Sequence, residues 1–321
     1  MDGGPDASGR RGARTATGMM IMAVNDDMLT KVREGRGFIA ALDQSGGSTP
    51  GALKAYGYQG NEWSDDAEMF DLVHQMRVRI ITSSAFNGDK VLGAILFEKT
   101  MDGLADGKPV PQALWERGVV PFLKVDKGLE DEADGVRLMK PNPGLEALCQ
   151  RAVEKGIFGT KMRSVIDRAS PGGIKAVVQQ QFEEAARIAA HGLMPIIEPE
   201  VSIKSADRAQ SDEILLAELT ASLDALPENR QVMLKLSLPV KPNLFKPLVD
   251  HARVLKVVAL SGGYSRDEAC VELAKNDGVI ASFSRALLEG LRHDMGDEEF
   301  NATLAGSIDK IYEASTARCD A

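Results

Sequence analysis

From Val32 onward, short apolar or β-branched runs alternate with longer stretches whose apolar residues recur every three to four positions. The short runs predict strands over 38–43, 79–84, 119–125, 157–163, 194–200, 232–238, 254–261 and 279–284. A further apolar run, 94–98, is left over, so the count of eight carries an error of about one strand. The clearest helical pattern is 173–191, with Ile174, Val177, Val178, Phe182, Ala185, Ile188 and Ala189 on one face and Gly192 as its stop. A second helix opens on Ser265-Arg266-Asp267-Glu268, which fits a capping box, and a third carries Leu215, Leu216, Leu219 and Leu223 within 214–226.

Strands that are apolar almost throughout are buried on both faces, and helices between them make the sheet parallel. No G-x-G-x-x-G or P-loop follows the first strand, so a closed barrel fits better than an open sheet. The expected fold is α/β, a single-domain (β/α)8 TIM barrel. Nothing divides the chain after residue 20. Residues 1–20, rich in Gly, Ala and Arg and without helical periodicity, read as a disordered N-terminal extension, and 21–321 as the catalytic barrel. The stretch from Met19 to Val24 is too short for a signal-peptide core.

A net charge of −9 argues against nucleic acid or an anionic membrane as the main partner. Any site for phosphates must then gather its cations locally. Cys149, Cys270 and Cys319 show no C-x-x-C pairing, which makes a reducing cytoplasm the default. His74, His191, His251 and His293 form no metal-ligand spacing, so neither a metal nor another cofactor is expected.

One residue breaks the apolar pattern: Lys235, inside Val232-Met233-Leu234-Lys235-Leu236-Ser237-Leu238. Desolvation favours the free amine, the form that attacks a carbonyl to give an imine. The other polar residues at expected strand ends gather around the same mouth of the barrel, where such folds carry their active sites. They are Asp43, then Lys124 and Asp126, Lys161 and Arg163, Glu198 and Glu200, Ser261-Gly262-Gly263, and Ser282 to Arg285. Residues two apart share a face, so Glu198 and Glu200 point together, as do Lys161 and Arg163. Each has a plain reading by itself. Lys235 could snorkel, Asp43 could cap a helix, the glutamates could be solvated, and Lys161 with Arg163 could be a surface pair. Their convergence on one end of one barrel favours a site.

Seven motifs together resemble the class I, Schiff-base-forming fructose-bisphosphate aldolases, nearer the short-tailed bacterial branch. They are Ala41-Leu42-Asp43-Gln44-Ser45-Gly46-Gly47-Ser48, Lys124-Val125-Asp126-Lys127-Gly128, Lys161-Met162-Arg163, Glu198-Pro199-Glu200, Leu234-Lys235, Leu260-Ser261-Gly262-Gly263 and Ser282-Phe283-Ser284-Arg285-Ala286-Leu287. The resemblance runs from about Gly37 to Tyr312. It implies that Lys235 forms the imine, Glu198 shuttles protons, and Glu200 and Lys161 balance charge around the imine. Asp43 would take the C4 hydroxyl proton. Ser261, Gly262, Ser282 and Arg285 would meet one phosphate, and Ser45, Ser48, Lys124 and Arg163 the other end of the substrate. Partners would be phosphorylated ketoses and triose phosphates, with homo-oligomerisation left open.

The chain departs from the animal-type enzymes at its end, Thr316-Ala317-Arg318-Cys319-Asp320-Ala321, which lacks their terminal tyrosine. Gln44 replaces an acid, and Phe283-Ser284 replaces Tyr-Gly. Tyr264 and Tyr312 are then the candidates for the last proton transfer. Two other readings remain: another Schiff-base sugar-phosphate lyase or transaldolase, and a non-catalytic scaffold.

Overall fold

The computed structural model describes residues 26–45 and 49–317. The expected N-terminal extension and Ser48 lie outside the described residues. Eight parallel strands stand in sequence order: β1 (Phe38–Leu42), β2 (Val91–Leu96), β3 (Val120–Lys124), β4 (Gly159–Ile166), β5 (Met194–Val201), β6 (Val232–Ser237), β7 (Val254–Leu260) and β8 (Val279–Ala281). The ends of the sheet meet beyond β8, where the Ala41 N–H donates to the Phe283 carbonyl at 3.1 Å. A helix or helical turn follows each strand, and the described chain is the expected single (β/α)8 barrel.

One expected strand is corrected. Residues 79–84 are not a strand: they lie at and just past the end of the helix Asp66–Thr82. The second barrel strand comes from the run that had been left over, and it starts earlier, at Val91. The β-branched residues around Ile80 imitate a strand, but Met69, Val73, Met76 and Ile80 are buried at helical spacing. Asp65 caps the helix by accepting the Glu68 N–H at 2.9 Å. Gly93 and Ala94 weaken the strand signal of the true β2. The helix expected over 173–191 is Pro171–Ala189, and that of 214–226 begins earlier, at Arg208. The Ser265–Glu268 capping box forms as expected.

The parity of each strand separates two apolar layers. Leu234 and Leu236 face the helices, while Met233 joins Ile39, Leu92, Val120, Ile196, Val258 and Ile280 inside the barrel. These inner residues close the floor, so polar side chains can occupy only the upper, C-terminal half. Phe122 is the bulky side chain of the floor, its ring 5.5 Å from that of Phe158 and edge-on to it. It fits because a glycine lies on each flanking strand. A Cβ at Gly93 would lie 2.8 Å from the Phe122 ring, and one at Gly159 would lie 3.0 Å from it. Gly93→Ala should therefore cost about 1–3 kcal/mol through overpacking. The urea midpoint measures it, and a midpoint equal to the parent's would mean the floor has slack.

Candidate active site

A cavity of about 870 Å³ opens at the carboxyl ends of the strands, a size suited to a small ligand. Every expected site residue in the described chain lines it. Asp43 and Ser45 follow β1, Lys124 ends β3, and Lys161 and Arg163 come from β4. Glu198 and Glu200 come from β5, Lys235 from β6, Ser261 and Gly262 follow β7, and Ser282 and Arg285 follow β8.

Four charged groups are packed at the base: Lys161 is 3% exposed, Glu198 3%, Lys235 4% and Asp43 8%. Burial of single charges is costly, and here two cations and two carboxylates offset one another. Lys161 Nζ lies 2.6 Å from Asp43 Oδ2 and 3.0 Å from Glu198 Oε2. Glu198 turns its other oxygen, Oε1, to Lys235 Nζ at 3.2 Å. Burial works to raise the Asp43 carboxyl, but Lys161 and Lys235 outweigh it and hold the group down at about 2. Burial works to lower Lys161, yet Asp43, Glu198 and Asp126 outweigh it and raise the group above the ordinary lysine range, which favours the ammonium.

Further out, the partners differ from expectation. Glu200 does not reach the lysines: it receives the Arg163 Nε at 2.5 Å, nearer the mouth. Lys124 donates to Asp126 Oδ1 at 2.6 Å and to the Asp126 carbonyl at 3.0 Å. Asp126 had been noted at the strand end without a role. Its position two residues after Lys124 was a usable signal, because the two share a strand face.

Across the barrel, Gly262 and Gly263 have φ of 61° and 127°, a left-handed turn that other residues rarely adopt. Successive N–H groups in such a turn form a concavity suited to an anion. The Arg285 guanidinium passes close to Gly263 and lines the cavity. Among the described residues it makes no ion pair. The cations therefore stand on opposite sides of the rim, β3 and β4 against β7 and β8, with Lys235 below them.

Neither tyrosine candidate reaches the cavity. Tyr264 accepts a hydrogen bond from Arg208 at 3.0 Å, and Tyr312 lies against Lys90, which precedes β2 at the opposite end of the barrel. Tyr56, Gln44 and Ser284 do line it, and sequence reasoning missed their part.

Comparison with known proteins agrees with this geometry. The family model described as fructose-bisphosphate aldolase class-I matches residues 28–256. The chain is 56% identical over 298 residues to a class 1 fructose-bisphosphate aldolase of Synechocystis sp., covering 92% of this chain and 99% of the relative. It is 55% identical over 293 residues to the enzyme of the same name from Porphyromonas gingivalis, covering 91% and 99%. Its fold superposes with a TM-score of 0.72 on a solved fructose-bisphosphate aldolase of Plasmodium falciparum, at 20% identity over 93% of this chain and 97% of the other. This chain belongs to the class I fructose-bisphosphate aldolase family.

Proposed function

We propose that this chain reversibly cleaves fructose 1,6-bisphosphate to dihydroxyacetone phosphate and glyceraldehyde 3-phosphate, with Lys235 as the imine-forming nucleophile and no metal required. The observation that carries the residue assignment is Glu198 standing between two buried lysines, one oxygen on each. Lys235 passes a proton to Glu198, 3.2 Å away, and the free amine then adds to the ketose carbonyl. Glu198 returns that proton to the carbinolamine hydroxyl, which leaves as water. The resulting iminium accepts the electron pair of the C3–C4 bond far better than a neutral ketone does.

Asp43 takes the C4 hydroxyl proton as that bond breaks. A carboxylate held near 2 is a weak base, so the alcohol must be acidified as well. Lys161, within hydrogen-bond reach of Asp43, supplies that field to a hydroxyl bound beside the pair. Glu200 acts through Arg163, near the mouth, in place of the charge-balancing role first expected for it at the imine.

Lys124 and Arg163 on one rim and Arg285 on the opposite one suit a substrate with a phosphate at each end. Arg285, Ser261, Gly262 and Ser282 take one, and Lys124, Arg163, Ser45 and Ser48 meet the other end. Arg285→Ala should raise KM for fructose 1,6-bisphosphate about tenfold to a hundredfold, the scale of one charged hydrogen bond or two. KM for unphosphorylated fructose should hardly move. Equal changes for both sugars would remove Arg285 from the phosphate clamp.

The same reading places the enzyme in the cytoplasm. Among the described residues Cys149 and Cys270 are free thiols, which suits a reducing compartment. Among the described residues no helix is long and apolar enough to cross a membrane. Phosphorylated ketoses and triose phosphates are the partners, and self-association into a homo-oligomer is to be measured by light scattering.

A further inference from the structure

Among the described residues Arg77 is the largest fully buried side chain, 1% exposed on the helix Asp66–Thr82. Among the described residues no carboxylate lies within ion-pair distance of it. Burial pushes its guanidinium down to about 10, a shift that the charge of Asp43 opposes. An apolar side chain of similar volume would fill this space at lower cost. What the guanidinium adds is a set of directed hydrogen bonds.

Two of the three reach one residue beside the catalytic carboxylate, and the third reaches Thr100. Arg77 Nη2 donates a short bond to the Gln44 carbonyl and lies 3.5 Å from Gln44 Oε1. Nη1 donates to Thr100 Oγ1 at 2.8 Å, on the turn that follows β2. With its Oε1 toward the guanidinium, Gln44 presents Nε2 to Ser284 Oγ at 2.6 Å. Ser284 lies next to Arg285, and both line the cavity. The planar fork thus selects one orientation of the Gln44 amide, and that orientation reaches across the β8–β1 seam.

We infer that Arg77 is a positioning residue: through Gln44 it fixes both the backbone carrying Asp43 and the Ser284 hydroxyl beside the phosphate-binding Arg285. The inference rests on the roles proposed above for Lys235, Asp43 and Arg285. It separates two branches, one serving bond cleavage and one serving phosphate binding. Imine formation depends on the Lys235–Glu198–Lys161 group, none of which Arg77 touches.

The test compares Arg77→Lys and Gln44→Ala with the parent enzyme. Steady-state cleavage of fructose 1,6-bisphosphate is measured, together with borohydride trapping of dihydroxyacetone phosphate, which forms the imine without breaking a carbon–carbon bond. Lysine keeps the charge but cannot span Thr100 and both Gln44 oxygens. Arg77→Lys should lower kcat about tenfold to a hundredfold, the scale of an ångström-sized misplacement, with the extent of trapping at Lys235 unchanged. Gln44→Ala keeps the backbone bond and loses the Ser284 branch. It should raise KM about fivefold, the worth of one hydrogen bond, and leave kcat within about twofold.

Trapping and cleavage falling together in Arg77→Lys would make Arg77 a support of the barrel at large and overturn the inference. So would kinetics equal to the parent in both variants. If Arg77→Lys does not fold, Gln44→Ala decides alone: a raised KM with kcat retained supports the inference, and no change overturns it. Absence of a Lys235 adduct in the parent would overturn the imine assignment itself, and the inference with it.

Discussion

Lys235→Met should lower turnover of fructose 1,6-bisphosphate by on the order of 10⁶-fold, the scale seen when a covalent nucleophile is removed. The fold should survive. Methionine follows the same path as the lysine stem, and position 235 lies one step above the apolar floor residue Met233 and level with the buried Val258. Glu198 loses one of its two ammonium neighbours but keeps Lys161, 3.0 Å away. The buried carboxylate is therefore not left without a counter-charge. Activity and the denaturation midpoint should be read on the same preparation. A folded variant with activity near the parent's would remove Lys235 from the reaction.

Lys161→Met should damage both activity and stability, because it leaves Asp43 and Glu198 facing each other without the ammonium that links them. Removing one partner of a buried ion pair costs about 3–5 kcal/mol. Cleavage should fall about 10²- to 10³-fold, the scale of removing one preorganised donor from a reacting charge. The stability deficit has a definite pH dependence. In the parent the Asp43 carboxyl is held down at about 2, below its ordinary value of 3.8. A depressed carboxyl contributes stability that is fully present above its unfolded value and is lost as pH falls through its folded one. That contribution, about 2 kcal/mol at 1.36 kcal/mol per unit, depends chiefly on Lys161. The difference between parent and variant should thus be largest near neutrality and narrow as pH falls from about 4 toward 2. Urea titrations at pH 7 and pH 3 measure it. A constant difference would mean that Asp43 does not draw its charge from Lys161.

What could be read from the residues, and what could not, follows from the range of each interaction. Lys235 was legible because one cation in a seven-residue apolar run breaks a local pattern. That Lys161 and Glu198 turn toward the same mouth was legible from strand parity, but their pairing was not: the expectation joined Lys161 with Glu200. The partner of Glu200 was not: Arg163 and Glu200 also satisfy parity, and which glutamate meets which cation depends on the stagger between β4 and β5. There Arg163 lies opposite Glu198 in register, yet its side chain reaches outward to Glu200.

The second strand was misread for a different reason. Val78, Ile80 and Ile81 carry strand propensity, but the three- and four-residue spacing of Met69, Val73 and Met76 joins them to a helix. In β2 the packing of Gly93 against Phe122 requires a residue that disfavours strands locally. The Arg77–Gln44–Ser284 chain was illegible because its members are 33 and 240 residues apart, and nothing local marks Arg77 as buried.

The central claim is that this chain cleaves its substrate through an imine at Lys235. Borohydride is added during turnover of fructose 1,6-bisphosphate in EDTA, and the labelled peptide is mapped by mass spectrometry. The account predicts cleavage that persists in EDTA, loss of activity on reduction, and a stable ketose or triose phosphate adduct on Lys235. Cleavage without an adduct, or an adduct on Lys161, would contradict it.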